Sequence, residues 1–264
     1  MQGNEKFLGR VTSYAHKHAL WREGERILAA VSGGPDSLAL LLALKLLAVK
    51  EKINIGCCCV NHHLRAAAGK EAEFVESVCR EWNIPFILKE VDVQSAVRNG
   101  GSIETAARDL RYKALREAAR GGGYAKIAVA HHGDDQAETV LYHLLRGSGV
   151  TGLSGMKPIN EDIIRPFLCV SKNEIKDFLK DFSYVPCHDE SNDVEDAVRN
   201  RIRLSLVPEL ISYNPRVTES LRRTADIFRE EDLFMEEKAD VFISSCVEHD
   251  NDKCVFFIAY FLAL

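Results

Sequence analysis

The sequence predicts an α/β fold in which a parallel five-stranded sheet carries helices on both faces and is followed by a small helical domain. The prediction depends on short apolar runs of strand length that alternate with helix-like segments up to residue 168. Strands that alternate with helices in this way form parallel sheets, because each crossover helix returns the chain to the same edge. The strand-like runs are Ile27–Val31, Ile53–Val60, Ile84–Val91, Lys126–Ala130 and Ile163–Leu168.

The helix-like segments that separate the first four strands are Ser37–Lys50, Gly69–Trp82 and Ser102–Arg120. After Asp189 the alternation ends, and two further helices are predicted over residues 194–211 and 215–237. We therefore expect a first domain at residues 1–212 and a helical domain at residues 213–264. The final apolar run suggests that the chain is a piece of a longer protein.

Composition narrows the class of protein. A net charge of −5 argues against a general nucleic-acid-binding surface. A local basic stretch is present, because six arginines and only two glutamates occur between Arg199 and Arg223. The N-terminus has no signal-peptide pattern, and no apolar run reaches the ~20 residues of a membrane span, so we expect a cytoplasmic protein without membrane contact.

The eight cysteines include no Cys-x-x-Cys pair. Three of them, Cys57, Cys58 and Cys59, are consecutive and lie in the second strand-like run. Buried thiols explain this position better than a metal site or disulfides do.

A six-residue loop with two glycines joins the first strand to the first helix. Glycines at such a turn let the backbone approach a ligand, and the helix that follows presents unpaired N–H groups to an anion, usually a phosphate. No Gly-Lys-Ser/Thr follows, which excludes the kinase-type phosphate loop. An acidic residue in a phosphate loop, Asp36, is explained by a metal ion or another cation beside the phosphates. The loop residues are Ser32, Gly33, Gly34, Pro35, Asp36 and Ser37.

Polar clusters also follow two other strands, and ligands of parallel sheets bind at these carboxyl ends. Residues 131–139 contain two histidines, three carboxylates and a hydroxyl, which suit magnesium or a polar substrate better than zinc. The alternative is a polar helix N-terminus with an aspartate cap. Residues 61–65 end in Arg65, a candidate for nucleotide contact, while His62 and His63 remain equally well explained as loop residues.

Arg108 and Arg111 are three residues apart on a predicted helix and therefore share a face. Two guanidinium groups on one face can bind a phosphate or a carboxylate. From this segment alone, a solvated face with Arg–Glu pairs is the slightly better explanation.

Taken together, these motifs resemble the N-type ATP pyrophosphatases of the PP-loop superfamily, with an adenine nucleotide alpha hydrolase-like fold. Within that group the chain is similar to the tRNA(Ile)-lysidine synthase family. Each motif is weak alone, but their order over residues 25–215 is specific. Besides the loop, the matching stretches are Val60–Arg65, Ala107–Tyr112, Ala130–Thr139, Leu145–Gly149, Ile164–Leu168, Asp189–Asn192 and Arg199–Arg203.

The resemblance implies a reaction with ATP and Mg²⁺. The C2 carbonyl oxygen of cytidine 34, in the CAU anticodon of a minor tRNA(Ile), attacks the α-phosphorus and pyrophosphate leaves. The ε-amine of L-lysine then displaces AMP and forms lysidine. Residues 1–212 would be the PP-loop domain and residues 213–264 a domain that contacts the tRNA. A homodimer is one option for the assembly, and the sequence leaves the oligomeric state open.

We expect the loop residues and Arg65 to bind ATP, and Asp36 and Asp135 to bind Mg²⁺. The catalytic set is Asp36, Arg111, Asp135 and His131. The residues expected to bind the other substrates are Arg108, Asp134, Glu138, Arg199, Arg201 and Arg203. Which of the carboxylates, Asp134, Asp135 or Glu138, binds or deprotonates the lysine amine is left open.

Two alternatives stay open at this point. A tRNA 2-thiolation enzyme would share the loop and the His-Asp-Asp segment, but such enzymes usually carry paired cysteines that this sequence lacks. A non-catalytic ATP-binding module is disfavoured by the density of charged residues at three strand ends.

Overall fold

The computed structural model describes residues 2–62, 68–93, 103–182, 197–250 and 253–256. Its α-helices are α1 (Gln2–Lys17), α2 (Pro35–Glu51), α3 (Ala68–Glu81), α4 (Ile103–Gly122), α5 (Gly133–Leu145), α6 (Val150–Leu153), α7 (Lys172–Lys180), α8 (Ala197–Arg201), α9 (Val207–Tyr213) and α10 (Val217–Cys246). Its strands are β1 (Arg26–Ala30), β2 (Asn54–Asn61), β3 (Phe86–Glu90), β4 (Lys126–Ala128), β5 (Ile159–Asn160), β6 (Ile163–Ile164), β7 (Val247–Asp250) and β8 (Lys253–Phe256).

The main sheet has the strand order β3-β2-β1-β4-β6-β5. The first five of these strands are parallel, which confirms the predicted parallel sheet. The structure adds a sixth strand, β5, which pairs antiparallel with β6 at the edge. Strand β6 is shorter than the predicted run, because Pro166 lacks a backbone N–H and begins a 3₁₀ turn, Pro166–Cys169.

Helices cover both faces of the sheet, as predicted. One core cluster surrounds α2, which is buried along most of its length between the sheet and α1 and α7. The second cluster packs α4 against the opposite face, with Leu115 and Ala119 against Ile127 and Ile163. The near-continuous apolar sequence of α2 is therefore explained by burial on several sides.

The three consecutive cysteines of β2 are buried free thiols, which confirms the prediction. Burial raises the pKa of Cys58 to about 12, so this thiol stays protonated at neutral pH.

The C-terminal part is mainly helical over residues 197–246. Helices α8 and α9 are joined by a π-helical stretch, Ile202–Leu206. The helical prediction holds for residues 197–211 and 217–237, while residues 194–196 lie outside the described part of the chain. The hairpin formed by β7 and β8 was not predicted from the sequence.

Helix α10 packs against α5 and α6 rather than standing apart from the first domain. The Arg229 guanidinium donates to the carbonyl oxygens of Ser154 and Met156 at 2.9 and 3.1 Å, and Arg222 donates to Cys169 O at 2.8 Å. The division of the chain at residue 212 remains a prediction. Among the described helices, none has both the length and the apolar character that crossing a membrane requires.

Candidate functional site

The loop after β1 presents a helix N-terminus at the carboxyl edge of the sheet. Gly33 has a φ of +88°, a left-handed conformation that favours glycine. Gly34 is the N-cap of α2 and has no side chain to cover the first N–H groups. The Ser37 hydroxyl donates to Gly34 O at 3.0 Å and accepts from the Ser32 amide at 3.1 Å, which closes the loop on itself. The exposed helix N-terminus can therefore bind a phosphate.

Asp36 lies in the first turn of α2, beside this N-terminus. Its Oδ1 atom is buried and has no hydrogen-bond partner among the described residues. Its Oδ2 atom lies 3.7 Å from Nε2 of His132. An unsatisfied buried carboxylate oxygen costs free energy, so a bound cation would remove that cost.

His132 joins the loop to α5. It is the N-cap of α5 and forms a capping box with Asp135: the His132 N–H donates to Asp135 Oδ2 at 2.9 Å, and the Asp135 N–H donates to His132 Nδ1 at 3.4 Å. Burial lowers the pKa of His132, but the carboxylates of Asp135, Asp36 and Asp134 outweigh burial, and the net pKa is raised. His132 is thus held between three acidic groups.

Asp135 and Glu138 lie one turn apart on α5 and face two arginines of the C-terminal part. Arg203 donates to both Glu138 oxygens, at 2.7 and 2.9 Å, and lies 3.4 Å from Asp135 Oδ1. Arg199 lies 3.5 Å from Glu138. Burial would raise the pKa of Asp135, but the charge of His132, the hydrogen bond from the His132 N–H, and Arg199 lower it, so Asp135 stays ionised. This acidic pair is suited to a cation, and the guanidinium groups of Arg199 and Arg203 satisfy it.

Asp134 has a structural contact. Its Oδ2 atom accepts from the Lys172 N–H at 2.7 Å, the first residue of α7. A carboxylate at this position satisfies one unpaired amide of α7 and interacts favourably with the helix dipole. Asp134 therefore links α5 to α7.

His131 lies in the part of the site that is nearest to α4 and to the end of β6. The pKa of His131 is lowered to about 3: burial is the largest cause, Asp135 opposes it, and Arg165, Arg111 and Arg108 add to it. His131 is therefore neutral and surrounded mainly by positive charge. The guanidinium groups of Arg108 and Arg111 lie 5.2 and 5.5 Å from the centre of the Tyr112 ring on α4.

The fold brings most of the predicted residues together. The loop, His131, Asp135 and Glu138 line the carboxyl ends of β1 and β4, with Arg111 and Arg108 beside them. Arg201 is exposed at the end of α8. Arg65 lies outside the described residues.

Sequence reasoning missed two residues of the site. His132 stands three residues before Asp135, the spacing of a capping box, and this spacing could have identified it. Arg165 follows β6 directly, at the carboxyl end of a strand, where the rule applied to the other strands also predicts site residues.

The protein alone offers few metal ligands here. In the described ranges no group of three or more His, Cys, Asp or Glu side chains could hold a metal ion. Mg²⁺ often binds through one or two carboxylates plus substrate phosphates, and the unsatisfied Oδ1 of Asp36 fits that role.

Comparison with known proteins identifies the class to which this site belongs. A family model described as the PP-loop domain matches residues 5–210. The match covers most of the chain, including the loop, the His-Asp-Asp segment and β6.

Two curated relatives narrow the class. The chain is 37% identical over 235 residues to the tRNA(Ile)-lysidine synthase of Thermotoga sp. (strain RQ2), which is 89% of this chain and 57% of that protein. It is 37% identical over 233 residues to the tRNA(Ile)-lysidine synthase of Petrotoga mobilis, which is 86% of this chain and 74% of that protein. The chain therefore belongs to the PP-loop family and, within it, to the tRNA(Ile)-lysidine synthases.

The chain spans little more than half the length of the Thermotoga relative. Among solved structures, the U34-tRNA thiolase NcsA from Methanococcus maripaludis, described with its 4Fe-4S cluster, has a TM-score of 0.65 and 16% identity. The alignment covers 86% of this chain and 80% of that chain. At this identity the likeness shows the shared fold alone.

Proposed function

We propose that this chain carries the catalytic part of a ligase that uses ATP to join L-lysine to C2 of cytidine 34 in the CAU anticodon of tRNA(Ile). The C2 carbonyl oxygen attacks the α-phosphorus of ATP and pyrophosphate leaves, which adenylates the base. The lysine ε-amine then attacks C2, AMP leaves, and lysidine forms. The family membership and the geometry of the acidic pair beside the phosphate loop both support this assignment.

The loop supplies the donors for the first step. Negative charge increases on the departing pyrophosphate, so N–H and hydroxyl groups already placed at residues 32–37 stabilise the transition state as well as the bound ATP. Mg²⁺, bound by Asp36 together with Asp135 and the phosphates, would supply further charge neutralisation. Arg111 is placed to hold a phosphate or the lysine carboxylate.

The acidic pair supplies the group for the second step. A lysine ammonium has a pKa near 10.4, so the amine must lose a proton before it can attack C2. Asp135 and Glu138 can hold the ammonium and take up that proton. Their contacts with Arg203 and Arg199 support a preference for a cation at this position.

The tRNA would lie against the basic stretch after residue 197. Arg201 is exposed there, whereas Arg199 and Arg203 face the acidic pair. The target cytidine must leave any base stack to reach the α-phosphorus. A cytoplasmic location follows from a tRNA substrate, and a homodimer remains a prediction.

The observation that carries the proposal is the Asp135–Glu138 pair next to an ATP-type loop. The test is incubation of the chain with ATP, Mg²⁺, radiolabelled L-lysine and total tRNA, followed by nucleoside analysis. We expect a labelled cytidine derivative, and release of AMP and pyrophosphate only when both lysine and tRNA are present. ATP binding without such release would instead support a non-catalytic module, and sulfur incorporation would support a thiolation enzyme.

A further inference from the structure

A second polar cluster lies beside His131, where α4 approaches the carboxyl ends of β4 and β6. It consists of Arg165, Tyr112 and His131, with Arg108 and Arg111 beside them. The proposed chemistry gives no role to Arg165 or Tyr112.

Arg165 is a buried cation with little compensation. Its side chain is only 6% exposed, and its Nη1 donates to Lys157 O at 2.8 Å. Its Nε atom is buried without a hydrogen-bond partner, and no ion pair to Arg165 occurs among the described residues. Burial of a guanidinium without a counter-charge is costly unless a ligand supplies the missing acceptor.

Two neighbouring groups are also unsatisfied. The Tyr112 hydroxyl and His131 Nδ1 are buried and have no hydrogen-bond partner in the described part of the chain. Tyr112 lies next to Arg165, within range of a polar contact between the two side chains. Three buried polar atoms in one place thus lack partners.

The charge at this place is positive. Arg165, Arg108 and Arg111 all lie near His131, and the carboxylate with the largest effect on it, Asp135, also faces His132 and Arg203. The cluster therefore has guanidinium groups in excess over carboxylates.

Arg229 shows what a purely structural buried arginine looks like in this protein. It is 8% exposed, donates to two backbone carbonyls and, like Arg165, has a buried Nε atom without a hydrogen-bond partner among the described residues. Its Nη1 also lies 2.7 Å from Asp226, so its charge has a counter-ion. No such ion pair of Arg165 occurs among the described residues, and this difference, not the Nε atom, distinguishes the two arginines.

We propose that Arg165 and Tyr112 bind an oxyanion of a substrate beside His131. The shared chemistry is a phosphate or carboxylate oxygen that accepts from a guanidinium and a phenol. Within the proposed function, on which this identification rests, two sources are available: the α-phosphate of the nucleotide and the carboxylate of the amino acid.

The test is calorimetric binding of four probes, ATP with Mg²⁺, adenosine, L-lysine and L-lysinamide. The variants are Arg165→Met and Tyr112→Phe. Arg116→Met is the matched control, because Arg116 lies on the same helix α4 and is paired outside the cluster with Glu161 and Asp162 at 2.8 and 3.1 Å. We expect Arg165→Met to weaken one probe roughly tenfold or more and Tyr112→Phe to weaken the same probe about threefold.

Loss of ATP affinity with adenosine unchanged would identify the phosphate as the source. Loss of L-lysine affinity with L-lysinamide unchanged would identify the carboxylate. The inference is overturned if both variants bind ATP and L-lysine within about twofold of the wild type, as Arg116→Met is expected to do. Should Arg165→Met not fold, Tyr112→Phe decides the outcome, since it removes one hydroxyl only.

These binding data separate the inference from the proposed function. Arg165-dependent binding in a chain that transfers no lysine to tRNA would contradict the proposed function alone. A wild-type chain that binds neither ATP nor L-lysine would overturn both.

Discussion

Asp36 and His132 make the contact that joins the two halves of the candidate site. Asp36 belongs to the first turn of α2, and His132 caps α5, so their 3.7 Å ion pair connects the phosphate loop with the acidic pair. The contact uses only Oδ2 of Asp36 and leaves Oδ1 without a partner in the described structure. Within the described structure, one carboxylate oxygen of Asp36 thus has a contact, and the other remains available to a ligand.

The first prediction concerns Asp36→Ala. We expect turnover to fall roughly 100-fold or more, because the Asp36 carboxylate lies beside the loop where negative charge increases on the departing pyrophosphate. The free energy of unfolding should change by less than about 1 kcal/mol, since one oxygen has no partner to lose. Lysidine formation and thermal unfolding measure the two effects.

Asp177→Ala is the control for that comparison, because Asp177 is exposed on α7 and, among the described residues, pairs with Lys180 at the surface. It should keep full activity. Near-wild-type turnover in Asp36→Ala would refute the role of Asp36 in the loop.

Residue type alone did not indicate the partners of the arginines. Arg199, Arg201 and Arg203 are the same residue type at alternate positions. In the structure Arg199 and Arg203 contact Glu138, whereas Arg201 is exposed. Helical geometry explains the difference only once the position of α8 against α5 is known.

At the scale of elements, the start of α5 is tightly packed. Gly133, the first residue of α5, donates its N–H to Val170 O at 2.7 Å. A Cβ atom at Gly133 would lie 2.9 Å from Val170 O and 3.1 Å from Nη1 of Arg222. The site-bearing helix, the 3₁₀ turn and α10 therefore meet at this glycine.

The second prediction follows from this contact. Gly133→Ala should lower the free energy of unfolding by about 1–3 kcal/mol, because the backbone carbonyl cannot move aside. Gly9→Ala is the matched control: Gly9 is exposed within α1 and a Cβ there meets nothing within 4 Å, so helix propensity should raise stability by about 0.5–1 kcal/mol. Chemical denaturation of both variants measures the difference, and equal effects would contradict the packing argument.

The third prediction concerns the capping box of α7. Burial would raise the pKa of Glu174, but the Ser171 N–H, at 2.9 Å, and the Arg10 guanidinium lower it below its ordinary value of 4.5. The stabilisation is complete above pH 4.5 and is lost as the pH falls through the lowered pKa. Glu174→Gln should therefore cost up to about 1 kcal/mol at neutral pH, a small value because the pair is partly exposed.

The difference between Glu174→Gln and the wild type should disappear in acid, as measured by thermal unfolding at a series of pH values. Glu76→Gln on α3 is the control, because its arginine partner Arg80 is a surface contact in the same helix. A difference for Glu174→Gln that persists at the lowest pH would show that the charge is not its cause.

At the scale of the molecule, the chain is acidic while its proposed macromolecular partner is a polyanion. The net charge is −5, so contact with RNA depends on where the arginines after residue 197 point. Helix α10 is fixed to the first part of the chain by Arg222 and Arg229, which places that basic stretch beside the site.

The fourth prediction is that Arg201→Ala weakens tRNA binding and reduces the slope of its salt dependence by about 1, because one phosphate contact is lost. ATP affinity should stay unchanged. Filter binding over a range of salt concentrations measures the slope.

Arg80→Ala on α3, an exposed arginine of another helix, serves as the control for Arg201→Ala. An unchanged slope in Arg201→Ala would remove this residue from the RNA surface.

The sequence by itself determined the parallel sheet, the helices on both of its faces, and the loop after β1, because these follow from local apolar periodicity and turn chemistry. It also predicted that Asp36, His131 and Asp135 meet, since parallel strands end at one edge. Only the tertiary structure decided that His132 meets Asp36, that Asp134 caps α7, and that Glu138 pairs with Arg203. These contacts join residues that are 96, 38 and 65 positions apart, and which side chains meet over such separations is set by how the elements pack against one another, which no local pattern records.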